Sequence, residues 1–193
     1  MRLLKGSEKM RIFKAIQILK DFKPNELDKF SSLFSSKQSI IADESNTFVC
    51  LSFNPDQYLR NEKTISEYFV KDYFRPLIIT NYKLVALLLV TSKMEGYIFS
   101  DFSFKEDGEE AESEKEVVQE MLINNKDVSL ISNFLKENSQ KIQYIELELF
   151  KTKNRVRVFS NGNISLSNAF EKEYYSSVLK IVKFLFTGSI TGV

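Results

Sequence analysis

The most regular hydrophobic pattern of the chain lies in its last third, where apolar and polar residues alternate over 142–149. Alternation with a period of two is typical of a strand with one buried face. A polar turn at Lys151–Asn154 leads into a second alternating strand, and the dipeptide Asn161-Gly162 is typical of a tight hairpin before a third, short strand. The helix expected after Ser167 ends at Gly188, a residue suited to a helix terminus.

A similar order of patterns occurs earlier in the chain. Residues 84–122 follow the order strand, tight turn, strand, short strand and helix, as residues 142–186 do. The stretch Lys83–Val90 is apolar on both faces and is expected to be a central strand. Glu95-Gly96 is expected to turn the chain into a strand over Tyr97–Phe104. The two copies predict one sheet built from two related halves.

The N-terminal part does not share this pattern. Apolar residues recur at helical spacing over Ser7–Phe22, with basic residues on the other side, which predicts an amphipathic helix. Pro24 ends that helix, and Asn25 is suited to cap a second one. Further on, Thr47–Phe53 is expected to form a strand and Thr64–Tyr73 a short helix.

These patterns predict an α+β fold with one antiparallel sheet of two half-repeats, helices packed on one side of it, and an added N-terminal helix pair. Residues 1–40 form the predicted helical extension, and 41–193 a single domain whose halves span about 41–124 and 125–188. Two further helices are expected between the strand pairs, over Glu114–Ile123 and Leu130–Glu137.

The composition argues against several classes of function but indicates no particular one. The 193 residues carry a formal net charge of +1, so binding to nucleic acid or anionic lipid requires a local basic patch. The chain has no histidine and no glycine-rich phosphate loop, which argues against an enzyme and predicts no cofactor or metal. The single cysteine, Cys50, has apolar neighbours and is expected to be buried and inert.

The same features bear on location. A lone cysteine excludes an intrachain disulfide, and an intracellular protein is expected, cytoplasmic or, in a eukaryote, nuclear. The start Met1–Lys5 has no long apolar run, and the apolar stretch Leu84–Val90 is far too short to span a bilayer. No membrane partner is therefore predicted.

One segment resembles a known family. Phe159-Ser160-Asn161-Gly162-Asn163-Ile164, followed by Ser167, Ala169 and a helix with Val178, Lys180, Ile181 and Val182, is similar to a half-repeat of the TATA-box-binding protein family. That half-repeat has a strand ending in Ile-Phe-x-Ser-Gly-Lys, a short strand into Thr-Gly-Ala, and a long helix. The earlier half echoes it at Ile98-Phe99-Ser100.

The resemblance implies a saddle-shaped sheet whose concave face binds the minor groove of double-stranded DNA, with phenylalanines wedged between base steps. It implies a non-enzymatic DNA-binding protein, such as a divergent transcription or viral regulatory factor. By position, Phe99 and Phe159 match one wedge in each repeat. The backbone contacts would come from four neighbouring cations: Lys151, Lys153, Arg155 and Arg157.

The local charges favour an alternative. With a turn at 151–154, Glu148 is expected opposite Arg157, and both arginines share a face with Glu146. Opposite charges across strands stabilise a sheet but cancel the field that attracts phosphates. The chain is then a protein-interaction module of similar fold that binds no DNA, and its partner is another protein or a second copy of itself.

Overall fold

The computed structural model describes residues 10–20, 24–91, 94, 96–105, 141–167 and 172–189, together with single helical positions at 112, 113, 115–117, 120, 133 and 137. Its strands are β1 (Met10–Ile18), β2 (Ile40–Ala42), β3 (Phe48–Ser52), β4 (Phe74–Pro76), β5 (Tyr97–Phe104), β6 (Ile142–Leu149), β7 (Arg155–Phe159) and β8 (Asn163–Ser167). Its longer helical segments are α1 (Pro24–Ser32), α2 (Pro55–Arg60), α3 (Glu62–Val70), α4 (Asn81–Thr91) and α5 (Tyr175–Thr187).

The strands form one sheet in the order β2-β3-β1-β8-β7-β6-β5, and the recorded pairings are antiparallel. Strand β1 lies between β3 and β8, with Lys14 opposite both Leu51 and Asn163. Beyond the end of β8, the same edge of β1 pairs with β4, where Ile16 lies opposite Pro76. Strands β8 and β4 therefore follow one another along one edge of β1.

Helices cover both faces of the β1–β3 region of this sheet, because both of its faces there are apolar. Phe13 and Ala15 of β1 belong to the larger core, which includes residues of α4 and α5. Ile16 faces the other way into a smaller core that contains Phe30 of α1 and Ile65 of α3. The α+β class with a mostly antiparallel sheet is confirmed, but the prediction that helices pack on one side is wrong.

The first predicted helix is also wrong where the structure describes it. Residues 10–18 form β1, a strand with hydrogen-bonded neighbours on both sides. The spacing of Phe13 and Ile16, which indicated a helix, instead places these side chains in two different cores. The second helix of the predicted pair is present as α1. The domain division at residue 40 remains a prediction.

The predicted strand Lys83–Val90 is a helix, α4. Its buried side chains Leu84, Leu87 and Leu88 lie at helical spacing, and the hydroxyl of Thr91 donates to the Leu87 carbonyl at 2.6 Å. A short segment that is apolar on all sides fits a buried helix as well as a buried strand. The earlier half thus lacks the opening hairpin of the later half, and the two half-repeats are not confirmed.

Other elements agree with the predictions. The strand predicted at Thr47–Phe53 is β3, the helix predicted at Thr64–Tyr73 overlaps α3, and Tyr97–Phe104 is β5. The three strands and the helix of the last third are present as β6, β7, β8 and α5. The predicted helices Glu114–Ile123 and Leu130–Glu137 lie mostly outside the described residues. Within the described part of the chain, no helix combines the length and apolarity needed to cross a membrane.

Candidate nucleic-acid interface

The candidate site is the side of β5–β8 that faces away from the larger core. Successive side chains along β6, β7 and β8 point to opposite faces of the sheet. Leu147, Val156 and Ile164 lie in the larger core, and the residues next to each of them in sequence lie on the opposite side. We call this second surface the polar face. Its members on the described strands are Ile98, Asp101, Ser103, Tyr144, Glu146, Glu148, Arg155, Arg157, Phe159, Asn163, Ser165 and Ser167.

Glu146 lies at the centre of the polar face and is only 2% exposed. Its Oε2 accepts a hydrogen bond from Nε of Arg157, and its Oε1 accepts one from the Ser100 hydroxyl at 3.1 Å. Nη1 of Arg155 lies 3.7 Å from the same Oε1. The two arginines that the sequence assigns to DNA phosphates are therefore both engaged by one buried carboxylate.

The charged face is confirmed, but its register differs from the predicted one. Glu146 pairs with Arg157 and Glu148 with Arg155, a shift of two residues. The cause is the turn, which closes between Leu149 and Asn154 through a backbone hydrogen bond of 2.9 Å. This closure places the turn one residue earlier than expected.

The surroundings of Arg157 set its protonation. Partial burial acts to lower its pKa, but the hydrogen bond and the negative charge of Glu146 outweigh burial, so the pKa of Arg157 is raised. The pKa of Tyr144 is also raised, first by burial and then by the nearby carboxylates of Asp101 and Glu146. Arg157 is thus a fixed cation, and Tyr144 is a neutral phenol at physiological pH.

Aromatic side chains lie next to this charge cluster. Tyr144 and Phe159 are opposite one another in the β6–β7 ladder, with ring centroids 5.4 Å apart and planes inclined by 55°. The guanidinium carbon of Arg157 lies 5.1 Å from the Tyr144 ring centroid, within cation–π range. Both rings are partly exposed. The polar face thus combines two rings with one held guanidinium.

The β6–β7 turn adds cations at one end of the polar face. Lys153 has a φ of +60° and is 65% exposed, and its Nζ lies 2.9 Å from Oε1 of Glu148. The same Nζ lies 5.3 Å from the ring centroid of Phe150, whose side chain is 62% exposed. Lys151 is exposed in the same turn.

Two further lysines lie at other edges of the polar face. Nζ of Lys14 donates to the Asn161 carbonyl at 2.9 Å and to Oδ1 of Asn163 at 3.3 Å. Burial lowers the pKa of Lys14. On the β5 side, Nζ of Lys115 lies 3.5 Å from Oδ1 of Asp101.

The structure brings five of the six predicted site residues together. Phe159, Arg155 and Arg157 lie on the polar face, and Lys151 and Lys153 lie in the adjoining turn. Phe99 does not join them.

The sixth residue lies on the other side of the sheet. Phe99 pairs with Leu147 and packs against the larger core. Tyr144 was not among the residues predicted to bind DNA. Its position two residues before Glu146, on the same face of a strand, was the available signal.

Comparisons with known proteins returned no relationship: no protein-family model, no curated protein and no solved structure matches the chain. The described residues also contain no group of three or more cysteines, aspartates or glutamates arranged to hold a metal ion. The polar face is accordingly interpreted from its own geometry.

Proposed function

We propose that this chain is a non-enzymatic DNA-binding protein whose contact surface is the polar face. The observation that carries the proposal is local charge: on the polar face, in the adjoining β6–β7 turn and at Lys14, the described cations outnumber the carboxylates, although the whole chain is near neutral. The cations are Lys14, Lys151, Lys153, Arg155 and Arg157, and the carboxylates are Asp101, Glu146 and Glu148.

Phosphate contacts would come from the exposed cations at the β6–β7 turn. Lys151 and Lys153 are exposed, and the side chain of Arg155 is 44% exposed. About three phosphate contacts on duplex DNA give a slope of roughly −3 in a plot of log affinity against log salt concentration. Binding is therefore expected to be weak at moderate salt and measurable at low salt.

The resemblance to the TATA-box-binding protein family, with its saddle of two half-repeats, belongs to this proposal only in part. The position of Phe159 on the polar face supports its use as an aromatic contact to DNA. Phe99 packs against the larger core, so its use as a second wedge would require it to leave that contact. The proposal consequently assigns the aromatic contact to Phe159 and not to Phe99.

The test is fluorescence anisotropy with labelled AT-rich and GC-rich DNA, as duplexes and as single strands, at low and moderate salt. The double variant Lys151→Glu/Lys153→Glu is expected to lose roughly tenfold or more in affinity, because it reverses two charges next to the phosphates. The control Lys29→Glu/Lys63→Glu makes the same charge change on exposed residues of α1 and α3. Equal losses in both variants, or no DNA binding at low salt, would refute the proposal.

A second candidate function is a protein-interaction module, and the engagement of Arg155 and Arg157 by Glu146 favours it. A buried carboxylate that holds both guanidinium groups reduces the positive field available to phosphates. If the chain is a protein-interaction module, the anisotropy experiment is expected to show no DNA binding. Sedimentation over a range of concentrations then tests whether the partner is a second copy of the chain.

A further inference from the structure

Tyr144 and Phe159 are aromatic residues within strands, yet neither belongs to either hydrophobic core of the described structure. Each lies opposite the other on the polar face, where both rings remain partly exposed. Aromatic rings that lie side by side and partly exposed on a sheet provide flat apolar surface at which unpaired bases can stack.

The guanidinium of Arg157 extends this surface. Its Nε is held by Glu146, and its carbon lies 5.1 Å from the Tyr144 ring centroid. Because Glu146 compensates its charge and fixes its orientation, Arg157 is better suited to planar stacking than to contact with a mobile phosphate. The two rings and this guanidinium are therefore positioned before any ligand arrives.

Cations lie at both ends of this aromatic surface. Lys151 and Lys153 are at the β6–β7 turn, and Lys14 lies beyond the other end of β7, beside Asn161 and Asn163. Four residue steps separate Arg155 from Phe159, a distance of about 13 Å at strand spacing. Sheets that present aromatic rings stack two or three bases over a comparable surface.

The same geometry disfavours a duplex. The bases of a duplex are stacked on each other, and wedging between them requires apolar side chains that insert between base steps. Tyr144 and Phe159 are only partly exposed within strands, and Phe99 lies on the other side of the sheet. Unpaired bases can lie against the rings, whereas paired bases cannot reach them without opening.

We propose that the polar face takes single-stranded nucleic acid, with Tyr144 and Phe159 as its base-stacking groups. This inference rests on the proposed function and specifies the ligand of the same surface. The inference makes a prediction that the proposed function does not make: a single strand is expected to bind at least about tenfold more tightly than a duplex of the same sequence.

The experiment compares a labelled 12-residue oligothymidine with the duplex that it forms with its complement, by anisotropy at low salt. Tyr144→Leu and Phe159→Leu are each expected to weaken single-strand binding about tenfold or more. Tyr82→Leu is the matched control, because Tyr82 is 75% exposed on α4 and lies outside the polar face. Its affinity is expected to stay within about twofold of the unaltered chain.

Tyr144→Phe covers the case in which Tyr144→Leu fails to fold, because it keeps the ring and removes only the hydroxyl. It is expected to retain single-strand affinity within about twofold. Equal affinity for both DNA forms, or unchanged single-strand affinity in folded Tyr144→Leu and Phe159→Leu, would overturn the inference and leave the proposed function standing. Absence of binding to either form would overturn both.

Discussion

Gly162, in the turn between β7 and β8, occupies a place where no side chain fits. Its φ is +80°, and a Cβ atom built on it would lie 2.3 Å from the carbonyl oxygen of Leu77. Leu77 directly follows β4 and donates its N–H to the Ala15 carbonyl at 2.9 Å, so this carbonyl group is held in place. Gly162→Ala therefore requires either the turn or the end of β4 to move.

The cost can be separated into two parts because the chain offers a matched control. Gly96 has a φ of +88° but no atom within 4 Å of its hypothetical Cβ. Gly96→Ala is expected to cost about 1–2 kcal/mol, the penalty for a left-handed backbone. Gly162→Ala adds an overpacking cost of about 1–3 kcal/mol, for a total of about 2–5 kcal/mol.

Urea unfolding followed by far-ultraviolet circular dichroism measures the free energy of unfolding of both variants against the unaltered chain. The dependence on urea concentration is expected to keep its slope, since the change acts on the native structure. In thermal unfolding, each kcal/mol corresponds to about 2–4 °C for a chain of this length. Equal costs for the two alanine variants would refute the close approach between the β7–β8 turn and the end of β4.

Three other perturbations test the contacts described above. Glu146→Gln is expected to cost about 2–4 kcal/mol in urea unfolding, because it leaves a partly buried guanidinium without its counter-charge. Glu148→Gln is expected to cost less than about 1 kcal/mol, because the ammonium of its partner Lys153 is exposed to solvent. A Glu146→Gln cost as small as that of Glu148→Gln would contradict this account. Burial raises the pKa of the Cys50 thiol to about 12, above that of an unfolded thiol, so its contribution to stability is complete below about pH 8.5 and is lost as the pH rises towards the folded value. Cys50→Ala is expected to remove that part of the loss of stability at alkaline pH. Labelling of the thiol at neutral pH is expected to require unfolding, and rapid labelling of the native chain would show that the thiol is accessible. Tyr97→Phe removes a hydrogen bond of 2.6 Å to the Ser177 carbonyl on α5 and is expected to lower the free energy of unfolding by about 1 kcal/mol; no change would show that this bond does not contribute.

The strands of the last third could be predicted because each has one face in the larger core and one outside it. Apolar and polar residues then alternate in the amino-acid sequence, as in β6 and β7. Strand β1 has neighbours on both sides and cores on both faces, so its apolar residues follow no single period. Helix α4 is apolar nearly all round, and its true periodicity at Leu84, Leu87 and Leu88 was hidden by the apolar residues between them.

The positions of some residues of the candidate site could also be predicted from alternation, and others could not. The hairpin placed Arg155, Arg157 and Phe159 on one side, as alternation predicts. Phe99 was assigned to the same site by the family resemblance, but the register of β5 shifts between Phe99 and Asp101, and Phe99 lies on the core side. This irregularity puts Phe99 and Phe102 in contact with the same core, although strict alternation would send them to opposite faces. Nothing in the amino-acid sequence around Phe99 distinguishes this irregular strand from a regular one.

The pairing of β1 with β8 also sets the order in which the chain can fold. Lys14 and Asn163 are neighbours across two strands although 149 positions separate them along the chain. At ordinary rates of synthesis, β1 leaves the ribosome on the order of ten seconds before β8 does. Through that interval one edge of β1 lacks its β8 partner, so completion of the sheet must wait until nearly the whole described chain has been made.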